Sequence, residues 1–152
     1  KELAVYSYYA TDSVDLQEVG VYIIYYYAEN ADGISGTAQK IIVVRKIDVT
    51  KNDLSGTYSR SVYGFVEMNV KKTDSLGLYK VEDVLGYPGA DMTGKFVDMG
   101  NNDLVLINGE GDFGRYSLSE GSYSRSALYW TIHFVDPPYE GIDVPVTWSK
   151  ED

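Results

Sequence analysis

Apolar and polar residues alternate with a period of two along most of this chain, and helical periodicity is weak. The strongest alternation runs through residues 19–28 and returns through residues 36–45. Between them, residues 30–33 read Asn-Ala-Asp-Gly, and these residue types tolerate the left-handed backbone of a tight turn. The pattern predicts a β-hairpin, preceded by a further strand over residues 3–9.

A second series of short alternating runs begins after a polar, charged segment at residues 47–53. The predicted strands cover residues 56–63, 65–72, 78–85, 91–99, 103–107, 115–118, 121–125, 127–135 and 144–150. Tight turns with glycine or asparagine separate them, which is typical of an antiparallel meander. A meander of this length closes into a small barrel or folds into a barrel-like sandwich. We therefore predict an all-β protein with a first domain at residues 1–46, a linker at 47–53 and a barrel-like domain at 54–152.

The alternation also predicts which side chains face the core of the second domain. They lie on one face of each of four strands, at alternating positions. The predicted core residues are Val66, Met68, Val70, Tyr79, Val81, Leu85, Leu128, Trp130, Ile132, Phe134, Val144, Val146 and Trp148.

Composition removes several classes of function. The chain of 152 residues has no cysteine, so thiolate chemistry and cysteine-based zinc sites are excluded. Its net charge is −10 and it shows no basic patch, so nucleic-acid binding is not expected. No apolar run reaches the 18 residues that a membrane-spanning helix needs, so no transmembrane segment is expected.

Residues with catalytic or metal-binding potential lack a diagnostic arrangement. His133 is the only histidine, and a single histidine cannot build a multi-histidine metal site. Acidic turns near Asp98 and Glu110 contain oxygen ligands but do not match a calcium-loop motif. Six acids could supply a carboxylate pair for hydrolysis, namely Glu82, Asp83, Asp91, Glu110, Glu120 and Glu140. We expect no enzyme activity, no metal and no cofactor, and we keep a hydrolase that uses His133 or a carboxylate pair in a cleft as an alternative.

Fifteen tyrosines and two tryptophans suit a surface that binds ligands. Aromatic rings with hydrogen-bonding tips stack on sugar rings and are enriched in protein interfaces. Tyr87 lies in a Gly-Pro loop and Tyr139 in a Pro-Pro turn, and loop tips are where binding residues concentrate. Tyr87 and Tyr139 are the predicted ligand-binding residues.

Two sets of motifs resemble bacterial envelope proteins. The set in the first domain resembles the last strands of bacterial surface immunoglobulin-like domains, and its Gly-x-Tyr is similar to the tyrosine corner of such sandwiches. It consists of Val14-Asp15, Gly20-Val21-Tyr22, Tyr26, Asp32-Gly33 and Ile42-Val43-Val44. The second set resembles the C-terminal β-domain of uncharacterised outer-membrane lipoproteins from gut Gram-negative bacteria. It consists of residues 53–58, 78–87 and 92–94.

The resemblance implies a partial immunoglobulin-like sandwich, a lipid anchor upstream of this chain, and a location at the cell surface or periplasm in association with the outer membrane. It implies no activity. The leading hypothesis is a non-catalytic surface module that binds a glycan or a protein partner, and it predicts that Tyr87 and Tyr139 are exposed together. Besides the hydrolase, a second alternative is a structural spacer, which would show no clustered aromatics.

Overall fold

A computed structural model describes residues 4–9 and 14–152, with side chains described from residue 14 onward. The chain divides into two compact units, Lys1–Lys46 and Ile47–Asp152. All regular elements in the described ranges are β-strands. Within those ranges, no helix is long and apolar enough to cross a lipid bilayer. The prediction of an all-β protein is confirmed.

The first unit contains one antiparallel sheet. Its strands are β1 (Ala4–Tyr9), β2 (Gly20–Glu29) and β3 (Ser35–Val44), in the order β1-β2-β3. The side-chain Oδ1 of Asn30 accepts the backbone N–H groups of Asp32 and Ile34, which fixes the predicted turn between β2 and β3. Tyr22 donates its hydroxyl to the carbonyl of Glu18 at 3.2 Å, a bond of the kind made by a tyrosine corner. The immunoglobulin-like assignment of this unit stays a prediction.

The second unit is an eight-stranded closed antiparallel barrel with one extra hairpin. Its strands are β4 (Gly56–Arg60), β5 (Val66–Lys72), β6 (Leu78–Val81), β7 (Gly94–Gly100), β8 (Asp103–Leu106), β9 (Gly109–Gly111), β10 (Gly114–Ser117), β11 (Ser119–Tyr123), β12 (Ala127–Phe134) and β13 (Asp143–Lys150). The order around the barrel is β11-β8-β7-β6-β5-β4-β13-β12, and the pairing of β11 with β12 closes it. The β9–β10 hairpin extends the sheet from β12. The barrel form of the predicted fold is therefore confirmed.

The interior of the barrel is filled by the alternate side chains of its strands, as small barrels require. The largest fully buried side chains include Trp148, Tyr58, Tyr116 and Phe96. The predicted core positions are buried, except that Val66 and Val144 are half-buried at its margin. The alternation predicted these positions correctly because each strand has one face toward the interior and one toward solvent.

Most strands differ from the predicted ones by one or two residues at an end, and β4 ends three residues early, at Arg60. Strand β6 ends at Val81, because the carboxylate of Asp83 accepts the backbone N–H groups of Leu85 and Gly86 and turns the chain. Strand β7 begins at Gly94, after the loop that follows this turn. Residues 109–111, predicted as a turn, form strand β9 instead, because they pair with β10.

The alternating strand directions place every second connection at the same end of the barrel. One end carries the β4–β5, β6–β7 and β12–β13 connections and the β9–β10 hairpin, and we call it the distal end. The opposite, proximal end carries the β5–β6, β7–β8 and β11–β12 turns and the point where the chain enters β4.

The segment predicted as a linker, residues 47–53, packs against the proximal end of the barrel. Val49 is 2% exposed. The Asn52 side-chain amide donates to Asp98 Oδ2 at 2.8 Å and to the hydroxyl of Tyr123 at 3.0 Å. This segment therefore belongs to the second unit, and the hydrogen bonds of a buried carboxylate hold it there.

Candidate functional site

Four aromatic side chains from four separate connections meet at the distal end. We call Tyr63, Tyr87, Phe113 and Tyr139 the aromatic patch. Ring centroids lie 5.4 Å apart for Tyr63 and Tyr87, 5.3 Å for Tyr87 and Phe113, and 5.4 Å for Phe113 and Tyr139. The three tyrosines are 50%, 44% and 36% exposed in chain order, whereas Phe113 is half-buried and packs on the barrel core. The structure thus brings the predicted residues Tyr87 and Tyr139 together, on either side of Phe113.

Tyr87 is held by a turn with defined chemistry. The sequence Tyr-Pro-Gly-Ala at residues 87–90 forms a turn closed by the Ala90 N–H and the Tyr87 carbonyl at 3.1 Å. Proline presets the second position, and glycine supplies the positive φ, 81° at Gly89, of the third. The indole of Trp130 donates to the Val84 carbonyl at 2.7 Å, so the start of this loop is bonded directly to the buried core.

Phe113 is positioned by the β9–β10 hairpin, which docks on the same loop. The backbone N–H of Asp112 donates to the Asp91 carbonyl at 2.9 Å, and the Asp91 N–H donates to the Asp112 carboxylate at 2.8 Å. A Cβ at Gly111 would lie 2.5 Å from that same Asp91 carbonyl oxygen. Only glycine permits this approach, so the hairpin and Phe113 sit firmly against the loop that carries Tyr87.

Tyr139 is positioned by an ion pair beneath its loop. The guanidinium of Arg115 contacts both carboxylate oxygens of Asp136, at distances of 2.6–3.1 Å, and the backbone N–H of Arg115 donates to the same carboxylate. These hydrogen bonds lower the pKa of Asp136 to about 2. The N–H of Tyr139 in turn donates to the Asp136 carbonyl at 3.0 Å, so the ion pair ties the β12–β13 loop to β10.

A buried arginine lies under the patch. Arg60, the last residue of β4, is 7% exposed, and its guanidinium carbon lies 5.9 Å from the centroid of the Tyr63 ring. A Cβ at Gly86, directly before Tyr87, would lie 2.5 Å from Arg60 Cδ. The arginine therefore underlies both the Tyr63 and the Tyr87 loops. Its Nε is buried without a hydrogen-bond partner.

The patch combines aromatic faces and phenolic hydroxyls, and a buried guanidinium lies under it. Such a surface can bind a ligand by stacking and hydrogen bonding. Among the residues that the structure describes, no group of three His, Asp or Glu side chains could hold a metal ion.

His133 and Asp143 form a polar pair elsewhere. His133 Nδ1 lies 2.6 Å from Asp143 Oδ1, and the two residues are opposite each other in the β12–β13 ladder. Ser117 lies opposite His133 on β10. The two side chains of the pair are 40% and 62% exposed, so they lie on the outer face of the barrel. Of the six acids considered for a carboxylate pair, Asp83 is buried and the others are exposed.

A groove of about 890 Å³ lies at the proximal end, away from the patch. Asn52 and Tyr123 line it, and both are bonded to the buried Asp98. Glu151, also in its wall, accepts a hydrogen bond from Ser59. Much of the polar lining is thus engaged in holding residues 47–53 and the last residues of the chain.

Sequence reasoning missed three members of the distal site. Tyr63 and Phe113 each stand next to glycine in a strand connection, which was an available signal for an exposed aromatic. Arg60 carried no such signal, because it continues the inward alternation of β4 after Tyr58.

No protein-family model matches the chain, and no curated protein sequence matches it. Among solved structures, the chain is similar to the crystal structure of the lipoprotein BT2262 from Bacteroides thetaiotaomicron. The two are 19% identical, the match covers 97% of this chain and 81% of that chain, and the TM-score is 0.44. The likeness is too distant to carry an argument about function.

Proposed function

We propose that this protein is a non-catalytic β module of the bacterial cell surface that binds a glycan at the aromatic patch. One observation carries the proposal: three exposed tyrosines from three different loops form one continuous cluster of ring contacts with Phe113. A spacer has no need for such a cluster. A location at the cell surface or periplasm, with a lipid anchor upstream, rests on the motif resemblance.

The patch suits a sugar for physical reasons. The C–H faces of a pyranose stack on aromatic rings, and the phenolic hydroxyls reach the sugar hydroxyls around them. Tyrosine adds large contact area at a low cost in side-chain entropy, because it has only two side-chain torsions. Hydrogen bonds fix the loops that carry Tyr87, Phe113 and Tyr139 before a ligand arrives, so less ordering free energy is lost on binding.

The test is a glycan array followed by calorimetry with single variants. Tyr87→Ala and Tyr139→Ala are each expected to weaken binding by about 1–2 kcal/mol, or roughly five- to thirtyfold, the scale of a lost aromatic contact. Tyr129→Ala is the matched control, because Tyr129 is 39% exposed but lies on the outer face of β12, outside the patch. Absence of binding to any glycan, or an equal loss in Tyr129→Ala, would contradict the proposal.

A protein partner is the second class of ligand that exposed tyrosines fit. In that case no glycan on the array would bind.

The hydrolase alternative rests on His133 and its 2.6 Å contact with Asp143. It requires hydrolysis of a bound glycan that stops in His133→Ala, whereas the proposal expects the glycan to be recovered intact from wild type and variant alike.

A further inference from the structure

Arg60 is a buried cation whose hydrogen-bonding capacity is unfilled. A guanidinium carries five N–H donors and stays charged at all physiological pH values. Arg60 is more than nine-tenths buried, and its Nε has no partner. A buried charged donor without an acceptor costs free energy, so such a group calls for a specific explanation.

The buried acid that interacts with Arg60, Asp83, does not provide this explanation. Burial raises the pKa of the Asp83 carboxyl above its ordinary value, although two backbone N–H donors and the Arg60 charge act in the opposite direction. Asp83 Oδ1 accepts the N–H groups of Leu85 and Gly86, both at 2.8 Å. Asp83 therefore offsets part of the charge of Arg60, while its own hydrogen bonds go to the loop backbone.

The position of the guanidinium is fixed relative to the patch. Its stem is packed so closely against Gly86 that no Cβ fits there, and its carbon lies 5.9 Å from the Tyr63 centroid. Tyr63 and Tyr87 are themselves 5.4 Å apart. The guanidinium therefore lies next to the Tyr63 ring of the aromatic patch.

We infer that Arg60 determines the specificity of the aromatic patch, and that the bound glycan carries a carboxylate, as uronic acid units do. This inference rests on the proposed function. A carboxylate is the acceptor that matches the guanidinium fork, and a charge-assisted bond to it is stronger than one to a sugar hydroxyl. The net charge of −10 opposes an acidic ligand only weakly at physiological salt, where exposed charges beyond about 8 Å are screened.

The experiment compares acidic sugars with their neutral esters. Calorimetry on the wild-type protein uses oligogalacturonate, hyaluronan and alginate oligosaccharides, each as the free acid and as the methyl ester, which keeps the ring and removes the charge. At least one free acid is expected to bind about tenfold or more tightly than its ester, the scale of a charge-assisted hydrogen bond. Arg60→Met should abolish this preference, and Arg60→Lys should retain part of it. Tyr87→Ala should weaken both forms equally.

The outcomes separate this inference from the function on which it rests. If sugars bind through Tyr87 but no free acid is preferred over its ester, the specificity inference is overturned and glycan binding stands. A preference that persists in folded Arg60→Met overturns it too. If no sugar binds, both fail. The ester comparison needs only wild-type protein, so it tests the carboxylate preference even if Arg60→Met does not fold, and a preference undiminished in Arg60→Lys would then count against the role of the arginine.

Discussion

Removal of the Asp98 carboxylate should destabilise the barrel more than removal of any exposed carboxylate. Asp98 is 0% exposed, and its two oxygens accept three hydrogen bonds. The donors are the Asn52 amide at 2.8 Å, the Tyr123 hydroxyl at 3.1 Å and the Gly100 N–H at 2.8 Å. In Asp98→Ala these donors lose their acceptor, and the segment at residues 47–53 loses its tie to β7.

The magnitude follows from how far water can reach each donor. A buried donor left unsatisfied costs about 1–3 kcal/mol. The Gly100 N–H is fully buried, whereas Asn52 and Tyr123 are half-buried and keep the hydrogen bond between them. Partial solvation of those two groups reduces their penalty, so we expect a total loss of about 3 kcal/mol of unfolding free energy.

Urea denaturation followed by tryptophan fluorescence measures this loss, because both tryptophans, Trp130 and Trp148, lie in the barrel core. With a slope of about 2 kcal/mol per molar urea, the midpoint should fall by about 1.5 M. Asp103→Ala is the matched control: Asp103 is exposed at the same end, and its loss should cost under about 0.5 kcal/mol. A midpoint shift in Asp98→Ala as small as that of the control would refute the reasoning.

Two further predictions concern the distal loops. The folded-state pKa of Asp136, about 2, lies below its ordinary value of 3.8, so the stabilisation by Arg115 is complete above about pH 4 and is lost as the pH falls through 2. The melting-temperature difference between wild type and Asp136→Asn should therefore vanish over that range, and a constant difference would contradict the assignment. Gly86 and Gly89 both have positive φ, but only at Gly86 would a Cβ meet Arg60. Gly89→Ala should cost about 1 kcal/mol and Gly86→Ala about 1–3 kcal/mol more in urea denaturation, whereas equal losses would exclude the clash.

The barrel strands could be predicted because their signal is local. On β12, Leu128, Trp130 and Ile132 alternate with outward residues, and that period of two is the same whatever the strand pairs with. The pairs β8–β11 and β4–β13, which join strands that are not consecutive in the chain, and strand β9 could not be predicted in this way. Residues 109–111 read Gly-Glu-Gly, which is turn chemistry, and they become a strand only through pairing with β10.

The site was predictable in part for a related reason. Tyr87 and Tyr139 stood out because glycine and proline mark exposed loops in any fold. Their convergence depends on Phe113, and which loops share an end follows from the direction of every strand between them. Arg60 was hidden because its alternation is that of a core residue, and the sequence does not show that this core position lacks a hydrogen-bond partner.

The two ends of the barrel differ in whether their buried charged side chain has hydrogen-bond partners. This difference indicates which end is the better candidate for a ligand site. The proximal end has a groove of about 890 Å³, but its buried carboxylate, Asp98, is satisfied by three donors of the chain itself. The distal end has a buried guanidinium, Arg60, whose Nε has no acceptor. The positive charge of Arg60, which Asp83 offsets only in part, favours a negatively charged ligand at the distal end. The oxygens of Asp98 are already engaged by donors of the chain itself, so the aromatic patch next to Arg60 is the better candidate for a binding site, despite the groove at the other end.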